Sequence, residues 1–337
     1  MTNLNKFSII DKQSISANSK RFEILSVHLG FKQIHSTELT KYLANNVNCL
    51  LLINDSFSFK TLFNILFYSL KNKNIKIQFL CLELYSLSFK AILSDFKIYH
   101  STSLNLKLNL YQYYLLQLRI FRYFLINTLI NYKCDILYLP SEARKIYVSN
   151  LYNVNIKVIP NLPLRSFDKA LEGNNDFDNT IFSSYKFIYL PGRINNLNDL
   201  NIVLDYAYSN NLKLVVSSSE KVFISSNDIR RNALIETGPI PHDRVLNFMR
   251  NCISGLILYD SKSLNQKFAA SSKLFEFLYL GKMIIISDNY GVLQEIKKYS
   301  VENFMIVGNI QKLNTIDGVK LNFDTKYLYE NYLNNSI

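Results

Sequence analysis

Residues 271–291, SSKLFEFLYLGKMIIISDNYG, decide how the fold is read. Two serines open an apolar helical pattern that stops at Gly281, and an unbroken apolar run over 283–286 follows at once. A helix delivered straight into an all-apolar strand is the repeating unit of a parallel sheet covered on both faces. Ser271 or Ser272 can cap the helix, and Gly281 suits the left-handed position that ends one. The first amides of such a helix have no partner within it; with the macrodipole and the Lys273 ammonium they make a site for phosphate oxygens. Glu276 lies three residues after Lys273 and shares its face. With the cap at Ser271 or Ser272 the capping-box position falls on Leu274 or Phe275, so Glu276 is not needed for capping. It reads either as a solvent-exposed partner of Lys273 or as a carboxylate one turn beyond a bound phosphate, where the hydroxyls of a ribose would lie.

The same rhythm extends on both sides. Ahead lie KFIYLPGR (186–193), a helix over 197–209, LKLVVSS (212–218), ALIETG (233–238), a helix over 242–251 and SGLILYD (254–260); behind lie a helix over 291–298 and NFMIVG (303–308). The N-terminal half reads alike. FEILSVHL (22–29), CLLLIN (49–54), IKIQFLCL (75–82), FKIYHS (96–101), DILYLP (135–140) and IKVIP (156–160) read as strands, with helices over 36–45, 58–72, 109–132 and 141–152. Between the halves, PNLPLRSFDKALEGNNDFDNT (160–180) has the prolines, glycine and Asn/Asp cluster of a linker. The expected fold is α/β, with two Rossmann-like doubly wound domains facing across a cleft. The expected bounds are 1–163, a linker over 164–180, 181–322, and a terminal helix in 323–337 that can pack back on the first domain. Ligands of open α/β sheets bind at the carboxyl ends of the strands, which is where chemistry is sought.

Length and composition agree with that reading. The chain has 337 residues, enough for two domains, and 48% hydrophobic against 19% charged residues exclude global disorder. A net charge of +12, from 38 Lys and Arg against 26 Asp and Glu, favours anionic partners: nucleic acid, acidic headgroups or phosphorylated small molecules. No Lys/Arg stripe marks a nucleic-acid footprint, so none is expected. Cys49, Cys81, Cys134 and Cys252 stand singly without CxxC spacing; neither a disulfide framework nor a zinc site is indicated, and a reducing, cytoplasmic compartment fits. The N-terminal stretch lacks the long apolar region of a secretory signal. The run YYLLQLRIFRYFLINTLI (113–130) is interrupted by Arg119 and Arg122 and is no transmembrane span. It reads as a core helix or as an aromatic and basic surface, with Lys107 and Lys133 beside it, that rests peripherally on the inner face of an anionic membrane.

The opening segment also resembles the donor-site signature of GT-B glycosyltransferases, especially the retaining family 4. There a Pro-x-Lys-Leu-x-Glu-Tyr helix precedes a Gly-Lys-Pro-Val-Ile strand; Lys273, Leu274, Glu276, Gly281, Lys282 and Ile285 fall on that pattern. FIYLPGR (187–193) resembles the family's opening strand of the C-terminal domain, whose Gly-Arg, here Gly192 and Arg193, serves the donor diphosphate. ETGPIPHDRVLNFMRNCISGLILYD (236–260) and CDILYLPSEARKIYVSNLYNVNIKVIPNLP (134–163) resemble two further family segments, so the likeness runs in order over 134–298. It departs in places. Asn198 stands where the family has a phosphate-binding lysine, Phe268 where the first glutamate of a Glu-x7-Glu pair falls, and Ser271 and Met283 replace prolines.

The resemblance implies an acceptor-side first domain and a nucleotide-sugar-binding second domain. It implies a retaining, metal-independent hexosyltransferase that moves a sugar from a nucleotide-diphosphate donor to a glycan or lipid-linked acceptor, in surface polysaccharide synthesis. No metal or other cofactor is expected, since no DxD motif stands in a suitable loop. Gly192, Arg193, Ser271, Ser272, Lys273, Leu274 and Glu276 are the expected donor-binding residues. Arg193, Lys273 and the amides near Ser272 would stabilise the departing phosphate. His28 and His100 read as strand ends able to face the cleft, and His100 is the third catalytic candidate because a histidine near that strand of the family contacts the donor sugar. Asp288 and Glu295 lie beyond the strand MIIIS and are assigned no role. Two rivals stand beside this reading: a non-catalytic nucleotide-sugar-binding or partner subunit, and a sugar-nucleotide epimerase of the same fold.

Overall fold

The computed structural model describes residues 5–10, 17–45, 48–101, 106–164, 185–222, 224–225, 227–302, 304–315 and 328–336. They divide into two units. The first comprises Met1–Pro160, Lys262–Ala270 and Leu333–Ile337; the second comprises Asn161–Ser261 and Ser271–Tyr332.

In the first unit the order is β1 (Asn5–Ile10), α1 (Ala17–His28), β2 (Lys32–His35), α2 (Leu39–Asn45), β3 (Cys49–Asn54), α3 (Phe59–Lys71), β4 (Ile75–Leu80), α4 (Phe89–Ser101), α5 (Leu106–Lys133), β5 (Cys134–Leu139), α6 (Glu142–Ser149) and β6 (Asn155–Val158). The strands form a parallel sheet in the order β2-β1-β3-β4-β5-β6. Leu51 pairs with Phe7 on one side and Ile77 on the other; Phe79 pairs with Ile53 and Leu137. All six are buried, so the apolar centre of each strand stacks into one core. The four cysteines are free, and burial pushes the Cys49 thiol up to about 11 and those of Cys134 and Cys252 up to about 12, which leaves them protonated and unreactive.

Two expected strands are helices. FEILSVHL belongs to α1, whose buried Arg21, Phe22, Leu25 and Ser26 recur at helical spacing, and FKIYHS is the end of α4, whose earlier turns bury Ala91, Ile92 and Asp95 on one face. His28 and His100 therefore lie in the last turns of helices and end no strand. The sheet is completed instead by β1 and β2, which the sequence reading passed over. Of the expected linker over 164–180, all but Leu164 lies outside the described residues, as does the start of the expected terminal helix.

The stretch Lys262–Ala270, which includes the short helix α9 (Leu264–Lys267), completes the first unit's surface. Ser263 Oγ donates to Asp95, the Leu264 amide donates to Ser94 Oγ at 3.1 Å, and Asn265 accepts from the Leu84 amide at 2.9 Å while donating to Glu83 at 3.0 Å. Arg144 Nε donates to the Phe268 carbonyl at 2.9 Å, and the Phe268 ring lies 4.9 Å from that of Tyr147. Phe268, expected only as a missing glutamate, thus helps to anchor this stretch.

The second unit runs β7 (Phe187–Pro191), α7 (Leu197–Ser209), β8 (Lys213–Ser217), β9 (Leu234–Glu236), α8 (His242–Asn251), β10 (Ser254–Ile257), α10 (Ser272–Tyr279), β11 (Met283–Ile286), α11 (Tyr290–Lys298) and β12 (Phe304–Ile306); α12 (Tyr329–Ser336) follows. Its parallel sheet has the order β12-β11-β10-β7-β8-β9. Ile188, Leu190, Leu214, Leu256 and Ile285 from the sheet bury against Leu200, Val203 and Leu204 of α7.

Several helices of both units end on a residue in the left-handed region, and the cost differs with residue type. After α1 and α10 the residue is glycine, Gly30 and Gly281, but after α11 it is Ser300, at φ 50°. The Ser300 and Val301 amides reach back to the Lys297 and Ile296 carbonyls at 3.3 and 3.0 Å, the double bond that closes such an end. A side chain in this conformation costs about 1 kcal/mol that glycine avoids. Ser300→Gly is accordingly expected to raise the thermal midpoint by about 2–4 °C. Differential scanning calorimetry checks this.

Candidate functional site

The second sheet reverses direction once. Counted along the chain, its strands β7 to β12 lie in the spatial order 3-2-1-4-5-6, so the switch falls between β7 and β10. Those two strands pair directly, Ser254 with Ile188 and Gly255 with Tyr189, which sets their carboxyl ends about 5 Å apart. The chain leaving β7 is Gly192–Arg193; the helix reached from β10 is α10, with Ser271 to Glu276. Topology thus brings both halves of the expected donor site to the one edge where an open α/β sheet receives a ligand.

Gly192 has φ +98°, and its amide donates to the Ser217 carbonyl at 2.8 Å. A Cβ there would meet no atom, so the demand for glycine is purely conformational. The backbone turn exposes Arg193. The loop ends at Asn196, whose side-chain oxygen Oδ1 accepts from the Asp199 amide at 3.1 Å and caps α7, leaving Asn198 exposed in the first turn.

Ser271 is the N-cap of α10; its hydroxyl accepts from the Leu274 amide at 3.3 Å. The Ser272 and Lys273 amides make no hydrogen bond among the described residues. At the other end the Gly281 and Lys282 amides bond to the Leu278 and Phe277 carbonyls, at 2.9 and 3.0 Å. Lys273 Nζ donates to Glu276 Oε2 at 2.8 Å, with side-chain exposures of 28% and 6%. The exposed-pair reading of Glu276 therefore fails in one respect: the pair exists, but the carboxylate is buried in a helix whose Leu274, Phe275, Phe277 and Leu278 are buried with it. A buried carboxylate demands partners. Glu276 Oε1 has none among the described residues, whereas Lys273 retains exposed surface on the same helical face. The arrangement holds an ammonium, two open amides and an acceptor oxygen together at the positive end of a helix, a set suited to a phosphate with a hydroxyl-bearing group behind it.

The expected residues are divided between the two units. Gly192, Arg193, Ser271, Ser272, Lys273, Leu274 and Glu276 belong to the second unit, with Leu274 fully buried as core; His100 lies on α4 of the first. Other polar groups at strand ends escaped the sequence reading. Tyr189 donates to Ser217 Oγ at 3.0 Å, and Ser217 bonds Thr237 at 2.8 Å. Asn289 is buried and caps α11 by accepting from the Val292 amide at 3.2 Å; of the two acids to which no role was assigned, Asp288 is exposed and Glu295 is buried. In the first unit Asp55, just past β3, accepts from the Leu82 and Glu83 amides at 3.1 and 2.9 Å, while burial and nearby Glu83 push its carboxyl above the usual range. Only its N-D spelling after CLLLI hinted at it, a strand end followed by turn residues.

No protein-family model matches the sequence, and neither does any curated protein. The structure is similar to solved ones. An alpha,alpha-trehalose-phosphate synthase (UDP-forming) from Burkholderia vietnamiensis matches with TM-score 0.53 and 9% identity over 94% of this chain and 76% of that one. A trehalose-6-phosphate synthase matches at 0.47 and 10% identity, over 92% of this chain and 73% of that one. A UDP-N-acetylglucosamine 2-epimerase matches at 0.43 and 10% identity, over 99% and 91%. With its two six-stranded parallel sheets and flanking helices, the chain has the two-domain α/β fold of the GT-B glycosyltransferases.

Proposed function

We propose that the chain is a glycosyltransferase that moves a sugar from a nucleotide-sugar donor to a glycan or lipid-linked acceptor in surface polysaccharide synthesis, with retention and without a metal. The observation that carries this reading is Glu276: a buried carboxylate with one oxygen held by Lys273, one turn inside a helix whose first amides are open at the switch point of the sheet. In the reaction the bond between the anomeric carbon and the donor phosphate oxygen breaks, and its electron pair leaves with the diphosphate. The acceptor hydroxyl oxygen bonds to that carbon, and its proton passes to the departing phosphate oxygen. Positive charge grows on the sugar and negative charge on the leaving oxygen, so prearranged cations and amides lower the barrier. Arg193, Lys273 and the Ser272 amide take that role, and Glu276 accepts from the ribose hydroxyls. The fold shared with a UDP-forming trehalose-phosphate synthase supports a nucleotide diphosphate as leaving group. The strand end that recommended His100 is a turn of helix α4, so no role in the reaction is built on it here.

One observation favours the non-catalytic reading. Phe268 and Asn198, at two positions where the family carries charge, are a ring beside Tyr147 and an exposed helix residue. Donor turnover separates the two: nucleotide release from UDP, GDP, CMP and dTDP sugars is measured with and without acceptor extract. Acceptor-dependent release supports the transferase; binding without acceptor-dependent release supports the subunit; epimerised sugar with the nucleotide intact supports the epimerase. Glu276→Ala is expected to weaken nucleotide-diphosphate binding by about tenfold or more, the worth of one charge-assisted hydrogen-bonding group. Isothermal titration calorimetry reads the affinity and circular dichroism the fold; unchanged affinity in a folded variant removes the ribose role.

A further inference from the structure

Three neighbouring helices of the first unit carry large apolar side chains on their outer faces as well as on their inner ones. On α3, Leu62, Ile65 and Ser69 point to the core, while Lys60, Phe63, Phe67, Leu70 and Lys71 are exposed at helical spacing. On α5, Leu125, Ile126, Leu129 and Ile130 are buried, and Tyr114, Phe121 and Phe124 stand out along the opposite stripe. On α4, Phe89, Lys90 and Leu93 are exposed. The helices are adjacent: the Phe59 ring of α3 is 5.7 Å from Phe121, and the Phe89 ring of α4 is 6.0 Å from Tyr123. Phe63, Phe121 and Phe124 are each more than half exposed, at 54, 51 and 56%, at positions where a water-facing helix carries polar residues.

Charge decides what covers this face. The sequences of α3, α4 and α5 contain one acid, Asp95, which is buried and bonded to Ser263. Lys60, Lys71 and Lys90 are exposed beside the aromatic residues, and the Lys71 ammonium lies 4.2 Å from the centre of the Phe67 ring. The arginines of α5 do not contribute as the sequence suggested: Arg122 donates to the Asp55 carbonyl, and Arg119 lies over the Tyr85 ring. A second copy of the chain would set lysine rim against lysine rim. No helix among the described residues is long and apolar enough to cross a membrane, so this is a surface to lie on a bilayer and not to enter it fully.

We infer that the exposed face of α3, α4 and α5 binds an anionic lipid bilayer, with Phe63, Phe67, Phe121 and Phe124 entering the headgroup layer and Lys60, Lys71 and Lys90 meeting lipid phosphates. Aromatic residues and lysines at the interface supply the two kinds of attraction that reversible binding needs. The inference stands apart from the glycosyl-transfer reading, since it uses none of the second unit. It is tested by co-sedimenting the full chain with vesicles of equal phosphatidylglycerol and phosphatidylcholine, and with vesicles of phosphatidylcholine alone. The anionic vesicles are expected to bind about tenfold or more tightly, with the difference lost in 0.5 M salt. Phe67→Ser with Phe121→Ser and Phe124→Ser, and separately Lys60→Glu with Lys71→Glu, are each expected to lower binding to anionic vesicles on the order of tenfold. The lysine pair is exposed and decides the matter alone if the serine variant does not fold. Failure of the wild type to bind anionic vesicles overturns the inference, whether it stays monomeric or forms a dimer through this face. So does lipid binding that both variants retain.

Discussion

Gly255→Ala is expected to lower the thermal midpoint of the second unit by about 6–10 °C, which corresponds to roughly 3 kcal/mol. Gly255 sits in β10, paired with Ile284 of β11 and Tyr189 of β7, and the Phe277 ring of α10 lies directly against it. A Cβ built on Gly255 would be 2.5 Å from three atoms of that ring, closer than carbon atoms approach. Phe277 is fully buried, as are its neighbours Leu274 and Leu278, so the ring has no solvent into which to swing. The methyl must lift α10 off the sheet or force the ring out of its rotamer; both are overpacking. Adding Phe277→Leu to Gly255→Ala should recover part of the loss, because residues in contact couple in a double-mutant cycle. Thermal unfolding followed by circular dichroism checks both. A single variant that melts with the wild type would mean that α10 rests on β10 less closely than described. Since α10 carries Ser271, Lys273 and Glu276, the displaced helix should also bind nucleotide more weakly.

Lys273→Ala is expected to reduce donor turnover by about 100- to 1000-fold, the range found when one prearranged charge donor to a developing anion is removed. Its ammonium is fixed by Glu276 at 2.8 Å, so in the proposed reaction it would meet the leaving phosphate without first being ordered. The same contact makes the effect on stability a separate question. Losing Lys273 leaves Glu276 buried without its partner, at a cost of about 1–3 kcal/mol if the carboxylate stays charged. The two effects are told apart by measuring nucleotide release at a temperature well below the melting transition of the variant. Lys273→Arg keeps a cation but spreads it over a planar group, and should restore part of the activity and most of the stability. A Lys273→Ala enzyme with wild-type turnover would remove this residue from the reaction.

Much of the second unit was legible because local signals agree with its packing. The helix bounds 197–209 and 242–251 are found as read, since Asn196 caps the first and Pro241 precedes the second. The first unit was harder. FEILSVHL holds a phenylalanine, two β-branched residues and two leucines that serve a strand or a helix equally, and the decision came from which of them the rest of the unit buries. The β2 strand, KQIH, has one fully buried residue in four and gives no apolar run to notice. At the candidate site the residue types and their order were readable, but the burial of Glu276 was not: an acid at helical spacing from a lysine looks the same whether the face meets water or protein. The contact of Gly255 with Phe277 joins residues from separate elements, and no local pattern announces it.

Lys262–Ala270 has a consequence for how this gene can be cut. These residues are encoded between β10 and α10, yet they close hydrogen bonds to Leu84, Ser94, Asp95 and Arg144. A coding sequence interrupted near residue 160 would leave Asp95 and Arg144 short of partners that come from beyond the break. Exchange of N-terminal modules between homologous genes at the polar stretch is thereby discouraged: the incoming piece would have to fit a short patch already specified by the recipient.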